Sequence, residues 1–102
     1  MRKEFDKAFE KVDVLISPTC PHTAFDIGSK VSDPLSMYLT DIATITANLA
    51  GIPAMSIPAG FDKDGMPIGL QIMSPQLTEA KLFNIAYKFE QSHDYYKQLA
   101  NI

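Results

Sequence analysis

The sequence is poor in the residues that most often build a self-sufficient catalytic site. Among 102 residues there are one cysteine, two histidines and one arginine, and no two serines stand side by side. A lone Cys20 cannot close a disulfide within the chain, which fits a cytoplasmic protein. No apolar run approaches the ~20 residues of a membrane span. The opening stretch, MRKEFDKAFEKVDV, breaks its apolar residues with charges and so is no signal peptide. Basic residues number 9 against 12 acidic ones, for a net charge of -3. That balance excludes a protein built mainly to grip phosphate backbones. No GxGxxG or GxxxxGK[ST] loop is present to cradle a phosphate. Cys20, His22 and His93 lack the paired spacings of a metal site, and none is expected.

What remains is ordinary globular material. The chain is 46% hydrophobic and 21% charged, which argues against disorder and allows one core at most. Phe5, Ala8, Phe9 and Val12 recur at helical spacing with charges opposite, so the pattern predicts a helix over 2–12. No capping residue precedes it, so its start reads as cut. Val14, Leu15 and Ile16 predict a short buried strand over 13–17. Residues 18–51 read as a loop and short helices. Asp33 would cap one helix that opens on Pro34, and Gly51 would stop another. The β-branched run before Ala47 leaves the start of that second helix undefined. Residues 54–74 read as a β-hairpin, because Asp64-Gly65 supplies the positive φ that a tight turn needs. A helix follows over 78–91, capped by Thr78 and stapled by Leu77 against Leu82, and then a polar tail over 92–102. The fold class is therefore α/β, with a mixed sheet that contains a hairpin and carries flanking helices.

Candidate chemistry is sparse. Cys20 and His22 could suggest a Cys–His hydrolase, but two residues apart in a loop they read as an ordinary cysteine and a surface histidine. His93 reads as solvent-exposed. Asp62 and Asp64 flank a turn, where aspartate is favoured for the turn itself. Asp41 stands apart, since it precedes a stretch from Ile42 to Phe61 that carries no charge. It could cap a helix, or it could offer a charge-assisted bond to an ammonium group.

Four blocks carry a family likeness: Asp13-Val14-Leu15-Ile16-Ser17-Pro18-Thr19-Cys20-Pro21, the run from Asp33-Pro34-Leu35-Ser36-Met37-Tyr38 to Asp41, Asn48-Leu49-Ala50-Gly51-Ile52-Pro53, and Pro67-Ile68-Gly69-Leu70-Gln71-Ile72. In this order, over about residues 2 to 90, they resemble the C-terminal part of amidase-signature enzymes. The D-P-L-x-M-Y-x-x-D run is similar to one branch, the A subunits of aspartyl/glutamyl-tRNA amidotransferases. The resemblance implies a partial amidase-signature fold and a parent enzyme that hydrolyses glutamine (or asparagine). The ammonia would pass to the B subunit, which uses ATP and Mg²⁺ to amidate Glu-tRNA(Gln) or Asp-tRNA(Asn). The C subunit would clasp the other two, and tRNA would be met only through the complex.

The same resemblance exposes a gap. The family's Ser–Ser–Lys machinery has no counterpart here, so no residue of this chain is assigned a catalytic role, and the chain alone is expected to be inactive. The matching position for binding the substrate's α-amino group is Asp41. The family's arginine for the substrate carboxylate is unmatched, and Arg2 does not fit that role. Two other readings stand beside this one: a stand-alone α/β interaction module, and a piece of a different amidase-signature hydrolase. A chain cut from a larger sheet should also tend to self-associate.

Overall fold

A computed structural model of the chain describes residues 2–28 and 34–98. The expected Asp33 cap and the end of the tail lie outside the described residues. Helix α1 (Arg2–Phe9) leads into strand β1 (Leu15–Pro18), and two helices follow, α2 (Pro34–Thr40) and α3 (Ile42–Ala50). Strands β2 (Ala54–Phe61) and β3 (Pro67–Met73) form the hairpin, and α4 (Glu79–Ser92) and a 3₁₀ turn (Asp94–Lys97) close the described chain.

Strand β3 is central. Both neighbours pair with it antiparallel, in the order β1-β3-β2. A mixed sheet needs a parallel pair as well, and the described residues contain none. The α/β character stands, with helices on both faces of the sheet. Leu15 and Met73 point to one face, where Ala47, Ala50 and Ile52 cover them together with Phe5 and Phe9. Ile57 and Ile72 point to the other, beneath Leu82 and Ala86 of α4. This division follows from the two-residue repeat of a strand, which sends successive side chains to opposite faces.

Several boundaries differ from the sequence reading, each for a local reason. Helix α1 stops at Phe9 because tighter bonds close its end, from Glu10 N–H to Lys7 O and from Lys11 N–H to Ala8 O. Val12 is consequently 44% exposed instead of joining the helix's apolar stripe. Helix α3 begins at Ile42, inside the β-branched run. There the hydroxyls of Thr44 and Thr46 bond back to the carbonyls of Asp41 and Ala43, which suits threonine to a helix. Its end is a Schellman stop: Gly51 lies at φ 70, ψ 36, and the N–H groups of Gly51 and Ile52 return to Asn48 O and Ala47 O.

The Leu77–Leu82 staple does not form. Leu77 sits at φ 65 and is 82% exposed, whereas Leu82 is buried. The left-handed backbone turns Leu77 away from the helix it was to pin. Thr78 does not cap α4 with its side chain either. Its hydroxyl bonds instead to the fully buried Ser74 at 2.8 Å and to the Pro75 carbonyl. His93 is exposed as expected, yet it stacks between Phe89 and Tyr95 at 4.6 and 5.8 Å.

The core is thin. Of eight buried apolar residues among those described, three are alanines. The radius of gyration is 15.1 Å, against about 13 Å for a compact domain of this length. Leu35, Tyr38, Leu39, Ile42 and Leu49 all lie exposed on α2 and α3. The isolated 102-residue chain is therefore expected to self-associate. Sedimentation velocity checks this, and a monodisperse monomer with a cooperative, high-temperature melt would contradict it.

Candidate functional site

A row of small polar side chains lines the α3 face of the sheet. Gln71, in the middle of β3, is 3% exposed. Its carboxamide NH₂ donates to the Ser17 hydroxyl at 3.1 Å and to the Ala43 carbonyl at 2.9 Å. A carbonyl only accepts, so the nitrogen of the carboxamide must be the atom that faces α3. Further along, the hydroxyls of Thr19 and Ser56 lie 2.7 Å apart. Gly69 is the floor beneath them. A Cβ there would stand 2.7 Å from Ser56 Oγ and 2.9 Å from Thr19 Oγ1, so the pair exists because β3 carries no side chain at that point.

Two clefts share this hydroxyl pair. One, of about 350 Å³, lies under α3, where Thr44, Asn48 and Gln71 supply polar walls and Ala47 and Ile52 apolar ones. The other, of about 420 Å³, lies between the loop at 19–24 and the start of β3. The first cleft has no charged lining residue. It can orient a small polar molecule by neutral hydrogen bonds. The hydroxyls of Thr19 and Ser56 bond each other, and that of Ser17 accepts from Gln71 and donates to the Pro18 carbonyl, so among the described residues none is paired with a lysine or histidine that could act as its base.

Asp41 is the single residue between α2 and α3. Its backbone, at φ -97 and ψ 2, lies in the bridge region. A capping residue usually has an extended backbone, which aims its side chain at the first N–H groups of the helix. Asp41 accordingly makes no side-chain cap bond. Its carbonyl does that work, accepting from the N–H groups of Thr44 and Ile45 and from the Thr44 hydroxyl, each at 3.1 Å. The carboxylate is exposed and unspent on α3. It stands one turn from Thr44, a wall of the cleft.

The other sequence candidates have structural uses. His22 donates from Nδ1 to the Thr23 carbonyl at 2.9 Å and meets Phe25 edge-on, while Cys20 is exposed. Asp62 organises the hairpin turn by accepting from the N–H groups of Asp64 and Met66. It also accepts the Thr23 hydroxyl at 2.7 Å, which fastens the wall of the larger cleft to the turn. That hydroxyl, followed by the Met66 N–H, holds the Asp62 carboxyl below its ordinary value of 3.8. Among the described residues no three His, Cys, Asp or Glu side chains converge on a point that could hold a metal ion, and no helix is long and apolar enough to cross a membrane.

Gln71 and the Thr19–Ser56 pair were not singled out by reasoning from sequence. A signal for the first was present: a glutamine inside the apolar strand Ile68–Met73 must find partners when buried.

The Amidase family profile matches residues 1–83, and the chain belongs to that family. It is also similar to curated proteins of one group. It is 60% identical over 98 residues to the A subunit of the glutamyl-tRNA(Gln) amidotransferase of Rippkaea orientalis. The corresponding figures are 56% for the same subunit of Marinomonas sp. and 54% for that of Thermosynechococcus vestitus, again over 98 residues. Each match covers 96% of this chain but 20% of the relative, so the chain spans about a fifth of the length of these relatives.

Two predictions test the geometry. Gly69→Ala should break the Thr19–Ser56 bond and destabilise by about 1–2 kcal/mol in denaturant unfolding. The penalty should shrink in a Ser56→Ala background, where the tightest contact is gone; an equal penalty in both would contradict the close-packing account. For Asp62, a carboxyl held low contributes stability above its unfolded value, and this is lost as pH falls through the folded value. The amide resonances of Asp64 and Met66 should therefore shift with a midpoint below pH 3.8, and Asp62→Asn should abolish that titration. A midpoint at or above 3.8 would contradict the assignment.

Proposed function

We propose that this chain is a segment of the amidase (A) subunit of a tRNA-dependent amidotransferase, and that Asp41 binds the α-ammonium of the substrate glutamine. The observation that carries the reading is the state of Asp41. It is an exposed carboxylate three residues before Thr44, a wall of the neutral polar cleft, and it is released from capping by its own backbone geometry. The high identity to subunits of that name supports the assignment of the parent enzyme.

In this reading the reaction is acyl transfer from glutamine to a serine supplied by the rest of the polypeptide, with release of ammonia. This chain contributes binding and orientation. A carboxylate suits that role, since a charge-assisted bond to an ammonium is stronger than a neutral one. The neutral walls beside it would accept the uncharged parts of the substrate. Ammonia would then serve amidation of a tRNA-bound glutamate or aspartate on the B subunit, with ATP and Mg²⁺ bound there, and the C subunit would complete the assembly. The acidic balance of the chain, -3 overall, suits a segment that leaves tRNA contact to its partners.

The test belongs in the full-length protein. Asp41→Ala should raise the glutamine KM by about ten- to a hundredfold, as expected for losing a bond to a charged group, with kcat changed far less. An unchanged KM would leave Asp41 as no more than the residue between two helices.

A further inference from the structure

We infer that Gln71 is the positioning residue for Asp41, holding the first turn of α3 at a fixed height above the sheet. The inference rests on the reading of Asp41 just given. Helix α3 is nine residues long and is anchored unevenly. Its C-terminal half is held by apolar packing, with Ala47 and Ala50 buried against Met73. Its N-terminal half carries no fully buried apolar residue among those described. Ile42 is 47% and Ile45 37% exposed, and Asp41 makes no side-chain bond to the helix it precedes. A polar tie between that end and the sheet is the 2.9 Å bond from the Gln71 carboxamide to the Ala43 carbonyl.

The other end of the tie is equally well placed. The second hydrogen of the carboxamide goes to Ser17, the residue opposite Gln71 in the β1–β3 ladder. One buried side chain on the central strand thus braces β1 and the start of α3 together. Ala43 is two residues from Asp41, and the carbonyl of Asp41 already closes the first helical turn through Thr44 and Ile45. A shift of that turn therefore moves the Asp41 carboxylate with it. Without Gln71, α3 is free to pivot about its packed alanines, and the carboxylate at its far end moves most.

A positioning role and a merely structural one predict different kinetics in the full-length protein. The substrates are glutamine and glutaramate, the same amide without the α-amino group. Gln71→Met keeps volume and apolar packing but donates no hydrogen bond. It should raise the glutamine KM about three- to tenfold, in proportion to a displaced charged contact. Its kcat should stay within about twofold, and its KM on glutaramate should rise by a smaller factor than its KM on glutamine. Combined with Asp41→Ala, it should raise KM no further than Asp41→Ala alone. Ser17→Ala removes one of the two partners and leaves the Ala43 bond. It should raise the glutamine KM by a smaller factor, which keeps the test open if Gln71→Met does not fold. The inference is overturned if Asp41→Ala raises KM while Gln71→Met and Ser17→Ala do not, or if the Gln71 variant loses activity equally on both substrates. If Asp41→Ala itself leaves KM unchanged, the ammonium reading fails, and this inference falls with it.

Discussion

Strand β3 is the constraint on which the rest depends. Among the described strands it alone is paired on both sides, and each helix layer packs on side chains that it presents. Its seven residues carry four separate duties. Ile72 faces α4, Met73 faces α1 and α3, and Gly69 leaves the space in which two hydroxyls can meet. Gln71 adds the polar tie. Because strand side chains alternate strictly, a register slip of one residue would exchange these faces and bury Gln71 under α4 without its partners. The bulge that leaves Ala59 unpaired in β2 lies beyond this stretch, so the ladder opposite Gln71 and Met73 is regular.

The energetics explain why a chain with so little core can still order a polar row. Alanines bury small area and contribute little individually. Apolar packing alone therefore holds the helices loosely. Hydrogen bonds add only about 1 kcal/mol each when satisfied, but an unsatisfied buried amide costs about 1–3 kcal/mol. That asymmetry gives Gln71 directional force: the geometry in which both hydrogens find acceptors is favoured over neighbouring ones. No buried side-chain nitrogen or oxygen among the described residues lacks a partner, so each buried member of the polar row is satisfied. The exposed apolar residues of α2 and α3 carry the opposite message. They are the kind of surface that a further layer of polypeptide covers, in keeping with a chain that spans a fifth of its relatives.

What could be read from sequence divides along the range of the interaction. Features set by a few neighbouring residues were legible. Asp64-Gly65 marks the turn, Gly51 marks a helix stop through its left-handed backbone, and the Phe5/Phe9 spacing marks α1. Features set across the chain were not. The pairing of Ser17 with Gln71 joins residues 54 apart, and no local pattern says that β1 will run antiparallel to β3. Tertiary packing of Ala47 and Ala50 overrides the weak helix propensity of Ile42 to Thr46. Leu77 shows the reverse failure, where a sound local motif yields to an unusual backbone angle. Asp41 lies between the two cases. Its residue type and position were readable, but only the backbone geometry shows that its carboxylate is not consumed in capping.

In the role proposed for Asp41, that geometry bears on how a binding residue can sit at a helix start at all. An aspartate at such a position ordinarily stabilises the helix by about 1 kcal/mol through its side chain, and a ligand would have to compete with that bond. Here α2 runs almost directly into α3, so the intervening residue is forced out of the extended conformation that capping requires. The backbone carbonyl of Asp41 and the Thr44 hydroxyl secure the turn instead. The helix loses one local bond, and the carboxylate stays available to a cation. What the local cap would have given in rigidity must come from elsewhere, because a binding group has to be held to within about half an ångström to be effective. The long-range brace from β3 meets that need. The close succession of two helices and the buried glutamine are thus complementary: one frees the charge, and the other fixes where it stands.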